Sequence, residues 1–177
     1  MRRSLAQVLT VALLFAGSLA TTGAAGAAGA EPGNGRAPAA GQGLNSRYLC
    51  VQAHVAGIGW QAEKTCVGAV VGTTEEGRAI EALRFVPFNM SGLCARAHVA
   101  TIGWQPWVCV RDNVTLEIGT TGQSLALEAV EVQTQSGSVV LNAHLSGYGW
   151  QGQRAGARVL VGTTGESRAI EALTAIG

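Results

Sequence analysis

Three stretches of the chain alternate between apolar and polar positions. In residues 48–55, Leu49, Val51, Ala53 and Val55 share one side, with Gln52 and His54 on the other. In 93–99 the apolar side is Leu93, Ala95, Ala97 and Val99, with Arg96 and His98 opposite. In 139–145 it is Val139, Leu141, Ala143 and Leu145, with Asn142 and His144 opposite. A period of two is that of a half-buried β-strand. A helix is excluded by the period and by the glycines that interrupt it. Two more strands are expected after each. A weaker one covers Thr65–Val71, then Trp107–Val110 or Val114–Ile118, then Ala157–Val161. A last one covers Arg78–Phe85, Leu125–Val132 and Arg168–Ile176. Gly-Thr-Thr stands before each last strand and reads as a turn.

The pattern is threefold because the sequence is. AHVAGIGWQ, AHVATIGWQ and AHLSGYGWQ place Trp60, Trp104 and Trp150 at intervals of 44 and 46 residues. Each is followed by a second phrase: GTTEEGRAIEAL, GTTGQSLALEAV and GTTGESRAIEAL. The copies run over 46–88, 89–134 and 135–177, and together they form one domain. A three-stranded unit of this size cannot bury its apolar face alone. Three copies closing about a shared axis can, and closure removes exposed strand edges. The expectation is an all-β domain with pseudo-threefold symmetry. A β-prism suits three strands per copy. A β-trefoil, which wants four, is the alternative.

Ahead of the copies the pattern changes. Arg2 and Arg3 precede an apolar stretch from Leu5 to Ala20, and small residues lead to Ala28-Gly29-Ala30. This is the grammar of a secretory signal peptide over residues 1–30. Its apolar stretch is too short for a lasting membrane span. Residues 31–45 are rich in Gly, Ala and Pro, lack periodicity, and read as a flexible leader. Without Arg2 and Arg3 the 12 basic residues become 10, against 11 acidic ones, a net of −1. Lys64 is the only lysine. No basic patch argues for nucleic acid, and no amphipathic helix argues for a membrane surface.

Export makes disulfides plausible for Cys50, Cys66, Cys94 and Cys109. Cys50 and Cys94 occupy one repeat position. Cys66 and Cys109 follow their tryptophans by six and five residues. The third copy lacks both members together, with Val140 at the first position. Pairing within copies, Cys50–Cys66 and Cys94–Cys109, explains the joint absence. Each bridge closes a loop of about 15 residues and stabilises by ~3 kcal/mol on the chain-entropy estimate. Zinc is disfavoured because no CxxC occurs.

The polar residues present in every copy are His54, His98 and His144; Gln61, Gln105 and Gln151; and Glu81, Glu128 and Glu171. Alternation puts the histidines on the polar face, away from the axis, so a shared metal site is not expected. Each histidine either bonds its own copy's turn or glutamate, or joins a ligand site. Glu81 is in phase with Leu83 and Phe85, which would aim it at the core. A buried carboxylate needs partners. Either a bulge flips the phase after it, or nearby backbone N–H groups or the histidine bond it. Trp60, Trp104 and Trp150 pack a sheet edge, or offer a flat platform with one polar N–H for a sugar or peptide. Trp107 belongs to the second copy alone. Threefold repetition supplies no unique constellation of acid, base and nucleophile. Asp112, a possible second acid, occurs in one copy only.

The two phrases resemble the ChW repeat ("clostridial hydrophobic with conserved Trp") of bacterial surface and secreted proteins. The resemblance rests on Ala53, His54, Val55, Gly59 and Trp60, then Gly72, Thr73, Glu81 and Ala82, with their counterparts in the later copies. It spans nearly all of residues 48–177. It departs in the cysteine pairs and in Glu75-Glu76, where Thr121-Gly122 and Thr164-Gly165 stand in the other copies. It implies adhesion at the cell surface or binding of polymers outside the cell. The leading expectation is a secreted, non-catalytic binding module for extracellular or cell-wall carbohydrate. Its candidate ligand residues are the three tryptophans, histidines and glutamines. The second is a structural or adhesion protein that meets a cell-surface protein. The third is a hydrolytic enzyme. No cofactor is implied. The third copy is the plain one, so differences between copies are expected first in copies one and two.

Overall fold

The computed structural model describes residues 46–62 and 64–177. The expected signal peptide and leader lie outside the described residues. The first copy forms β1 (Tyr48–Val55), β2 (Gly59–Trp60), β3 (Thr65–Cys66), β4 (Val70–Gly72) and β5 (Ile80–Phe88). The second forms β6 (Leu93–Val99), β7 (Gly103–Trp104), β8 (Val108–Val110), β9 (Leu116–Gly119) and β10 (Leu127–Thr134). The third forms β11 (Val139–Leu145), β12 (Gly149–Trp150), β13 (Arg154–Gly156), β14 (Arg158–Gly162) and β15 (Ile170–Ile176). The all-β, three-repeat reading holds. Each copy has five strands where three were expected, so strand count cannot separate prism from trefoil.

The difference has a physical cause. The middle segment does not stay in one sheet. In the first copy Val67 and Gly68 take left-handed φ of 61° and 79°, which breaks Thr65–Val71 in two. The first piece, β3, pairs with β1; the second, β4, leaves to pair with β15 of the third copy. In the same way β9 joins β5, and β14 joins β10. The result is three antiparallel five-stranded sheets. Each is built on the first and last long strands of one copy and completed by a strand from another. The exchange runs from copy two to one, three to two, and one to three, so it closes on itself.

The alternating apolar residues meet in one cluster. Leu49, Val51, Ala53 and Val55 are buried with Leu93, Ala95, Ala97 and Val99, and with Val139, Leu141, Ala143 and Leu145. Phe85, Leu83, Val130, Val132 and Leu173 complete it from the last strands. Burying these faces is the main favourable term for folding. Their alternation leaves the opposite faces of the sheets for chemistry.

The glycine of Gly-Thr-Thr ends the exchanged strand instead of forming the turn. Gly72, Gly119 and Gly162 have φ of +89°, +92° and +95°. A Cβ there would collide with the carbonyl oxygen of Glu171, Glu81 and Glu128 respectively. These positions need glycine both for conformation and for close backbone approach.

Candidate functional site

The repeated polar residues assemble at the end of each sheet. Val55 pairs with Ile80 and His54 with Ala82, so Glu81 is the extra residue of a β-bulge. The same shift isolates Glu128 between Leu127 and Ala129, and Glu171 between Ile170 and Ala172. The bulge turns the carboxylate away from the core while Ile80, Leu83 and Phe85 stay inside it. Of the partners considered for the carboxylate, the histidine is the one it meets. The Nδ1–Oε2 separations are 2.9 Å for His54–Glu81, 3.0 Å for His98–Glu128 and 3.2 Å for His144–Glu171. The three contacts are close polar approaches that fall short of hydrogen-bond geometry at Nδ1. The glutamate's carbonyl accepts the N–H of Thr120, Thr163 or Thr73 from the exchanged strand at 2.9 Å.

The glutamine after each tryptophan fastens that strand from its outer side. Gly119 N donates to Gln105 Oε1 at 2.8 Å, and Gln105 Nε2 donates to Gly119 O at 3.1 Å. Gln61 grips Gly72 in the same two-ended way, and Gln151 grips Gly162. Strand β9 is the edge of the first sheet. The side-chain amide thus supplies the donor and acceptor that another strand would have supplied.

Each tryptophan stands edge-on to its histidine, with ring centroids 5.3–5.4 Å apart at 78–79°. All three lie on outer faces. Trp60 and Trp104 are half-buried; Trp150 is 38% exposed. Arginines make the difference. Arg84 Cζ sits 3.8 Å above the Trp60 ring and its Nε donates to Glu117 of β9 at 2.8 Å. Arg96 Cζ sits 4.5 Å from the Trp104 centroid. Glu131 holds Arg96 at 2.7 Å and Arg158 of the third copy at 2.6 Å. Both guanidiniums also face Trp107, at 4.9 and 5.2 Å. Burial pushes the Glu131 carboxyl up, but the two guanidiniums outweigh it and hold the carboxyl below its ordinary 4.5.

The family model for "Clostridial hydrophobic W" matches residues 54–86 and 98–135. The first two copies match this repeat model. The ChW phrases hold the residues that make these contacts: histidine, tryptophan and glutamine in the first phrase, glycine and bulged glutamate in the second. The third copy reproduces His144–Trp150, His144–Glu171 and Gln151–Gly162 in the same register, which makes it the same unit in space. No curated protein and no solved structure matches the chain.

The ChW copies carry their cysteines as expected, bridged as Cys50–Cys66 and Cys94–Cys109. Cys50 pairs in register with Val86 and Cys66, and Cys94 with Gln133 and Cys109. Asp112 is occupied structurally: its carboxylate accepts the N–H groups of Met90, Ser91 and Gly92 at 3.0–3.2 Å, at the link between copies one and two. The three histidines lie on three different sheets. Among the described residues no group of three or more His, Cys, Asp or Glu converges, and no enclosed pocket opens. Two features escaped the sequence reading. Arg84, Arg96, Arg158, Glu117 and Glu131 are not part of the repeated phrases; Arg96 meets Glu131 within copy two, while strand exchange brings Glu117 to Arg84 and Arg158 to Glu131. The glutamine–glycine clamp spans 11 to 14 residues within a copy. Its one signal was that both residues occur in all three copies.

Proposed function

We propose that this chain is a secreted, non-catalytic binding module for extracellular or cell-wall carbohydrate. Its tryptophan platforms present the ligand face, His54, His98 and His144 stand edge-on to the rings, and Gln61, Gln105 and Gln151, next in the chain, fasten the neighbouring strand. The observation that carries this reading is the position of the tryptophans. They lie on outer sheet faces with a polar neighbour beside each, and Trp150 is open to solvent. A flat apolar ring with polar groups at its margin suits the alternating C–H and O–H surfaces of a sugar. A shallow face accommodates a polymer that no enclosed pocket would admit. Disulfides and ChW repeats fit an extracellular or cell-surface setting; a signal peptide over residues 1–30 would deliver the chain there. Catalysis gains no support, because each His–Glu pair recurs on a separate sheet and Asp112 is engaged by three backbone N–H groups.

A second reading has its own observation. Ile58, Ile102 and Tyr148 occupy the same hairpin tip in each copy and are 51%, 51% and 66% exposed. Exposed apolar side chains kept at one position suit protein contacts. Pull-down by insoluble polysaccharides and purified cell walls separates the two. Retention that falls with tryptophan-to-alanine variants and survives Ile58→Ser, Ile102→Ser and Tyr148→Ser supports carbohydrate. Absence of retention by any glycan, with capture of one protein partner that depends on the tips, refutes it.

A further inference from the structure

Resting on the carbohydrate reading, we propose that the three copies do not offer three equivalent sites: the ligand face is single, on the outer side of the third sheet, where Trp150 lies beside Asn142 and Thr174, and it takes a neutral pyranose.

The argument compares one register across the three sheets. The outward rung next to each tryptophan is Gln52–Arg84–Glu117 in the first sheet. In the second it is Arg96–Glu131–Leu160. In the third it is Asn142–Thr174–Val70. The first two rungs place a guanidinium over the indole and anchor it with a carboxylate from the facing strand. A guanidinium is planar, polar at its rim and weakly hydrated at its face, so it stacks on indole as a ligand would. Copies one and two are therefore capped by their own side chains. To bind there, a sugar must displace an arginine that is ion-paired as well as stacked.

The third rung has no such cap. Asn142 and Thr174 are too short to cover the ring, and neither is charged. Val70 replaces the anchoring glutamate and is itself exposed, as is Ile176 further along the same face. This accounts for the greater exposure of Trp150. The rung offers one amide, one hydroxyl and an aromatic face without charge. That set recognises a neutral sugar ring and gives no purchase to an anion. The copy that looked plainest, without disulfide or extra tryptophan, is the open one.

The test is isothermal titration of the full chain with soluble hexamers of β-1,4-linked glucose and of N-acetylglucosamine, and affinity electrophoresis in neutral polysaccharides. One site per chain is expected. Trp150→Ala should weaken binding by about tenfold or more, the scale of losing one aromatic anchor. Trp60→Ala and Trp104→Ala should change it by less than about twofold. The variant Thr174→Arg with Val70→Glu keeps the tryptophan and rebuilds the cap of copy one; it should stay folded by circular dichroism and lose binding. Arg84→Thr removes a cap and should raise the stoichiometry toward two. Three sites in the wild type, or equal losses from all three tryptophan variants, would overturn the single-site inference and leave the carbohydrate reading standing. No binding of any glycan, by the wild type or by Arg84→Thr, would overturn both.

Discussion

Replacing Gln105 by alanine separates a structural splint from a ligand group. The side chain makes two hydrogen bonds to Gly119, one at each end of its amide. At about 1 kcal/mol net per bond, their loss costs about 2 kcal/mol. Stranding the partly buried N–H and C=O of Gly119 adds to this, and the rotamer freedom no longer lost on folding offsets about 1 kcal/mol. The expected destabilisation is about 2 kcal/mol, or roughly 4–8 °C in Tm. Gln105→Glu sharpens the test. An ionised carboxylate still accepts from Gly119 N–H but repels Gly119 O. A protonated carboxyl can donate again. That variant should be unstable at neutral pH and partly rescued below the ordinary glutamate range of about 4.3. Urea melts of the wild type and both variants, at neutral and acid pH, provide the measurement. If Gln105→Ala melts within about 0.5 kcal/mol of the wild type while binding to polysaccharide collapses, the splint argument is wrong and the glutamine is a ligand group.

Three further outcomes follow from the same contacts. Replacing Cys50 and Cys66 by alanine should destabilise the chain by about 3 kcal/mol, since the bridge closes a separation of 16 residues; a denaturant midpoint unchanged by the replacement would refute this. Glu131 has its carboxyl held below 4.5 by Arg158 and Arg96. The stability it contributes is therefore present above about pH 4.5 and lost as pH falls through its lowered folded value. Glu131→Gln should flatten the acid limb of a stability–pH curve, and an unaltered limb would contradict the ion triad. The seam between β4 and β15 has three paired positions and, among the described residues, no ion pair across it, against four at β5–β9 with Arg84–Glu117 and five at β10–β14 with Glu131–Arg158. Amides of Val70–Gly72 should exchange with deuterium faster than those of Arg158–Gly162; equal protection would show that the seam is not the weak point.

Much of this architecture was legible in local patterning. Alternation at Leu49, Val51, Ala53 and Val55, and at its two counterparts, identified the core faces because side-chain direction along a strand has a strict period of two. The joint absence of both cysteines from copy three identified the bridges because a disulfide needs both members. Phase conflict at Glu81 marked an irregularity, a bulge or a hydrogen-bonded carboxylate, because a carboxylate aimed at the core has no solvent to face; strand pairing shows the bulge. Other features depend on which strands become neighbours. Nothing within the first copy says that Val70 will lie beside Thr174, or that Glu117 will hold Arg84 over Trp60, since those pairs arise from strands exchanged between copies and separated by up to about a hundred residues. Three copies of one β unit, their inward faces and their covalent staples follow from short-range periodicity and repetition along the chain. Which tryptophans are covered follows from the fold, because stacking and ion pairing act through space between strands whose adjacency the chain does not spell out.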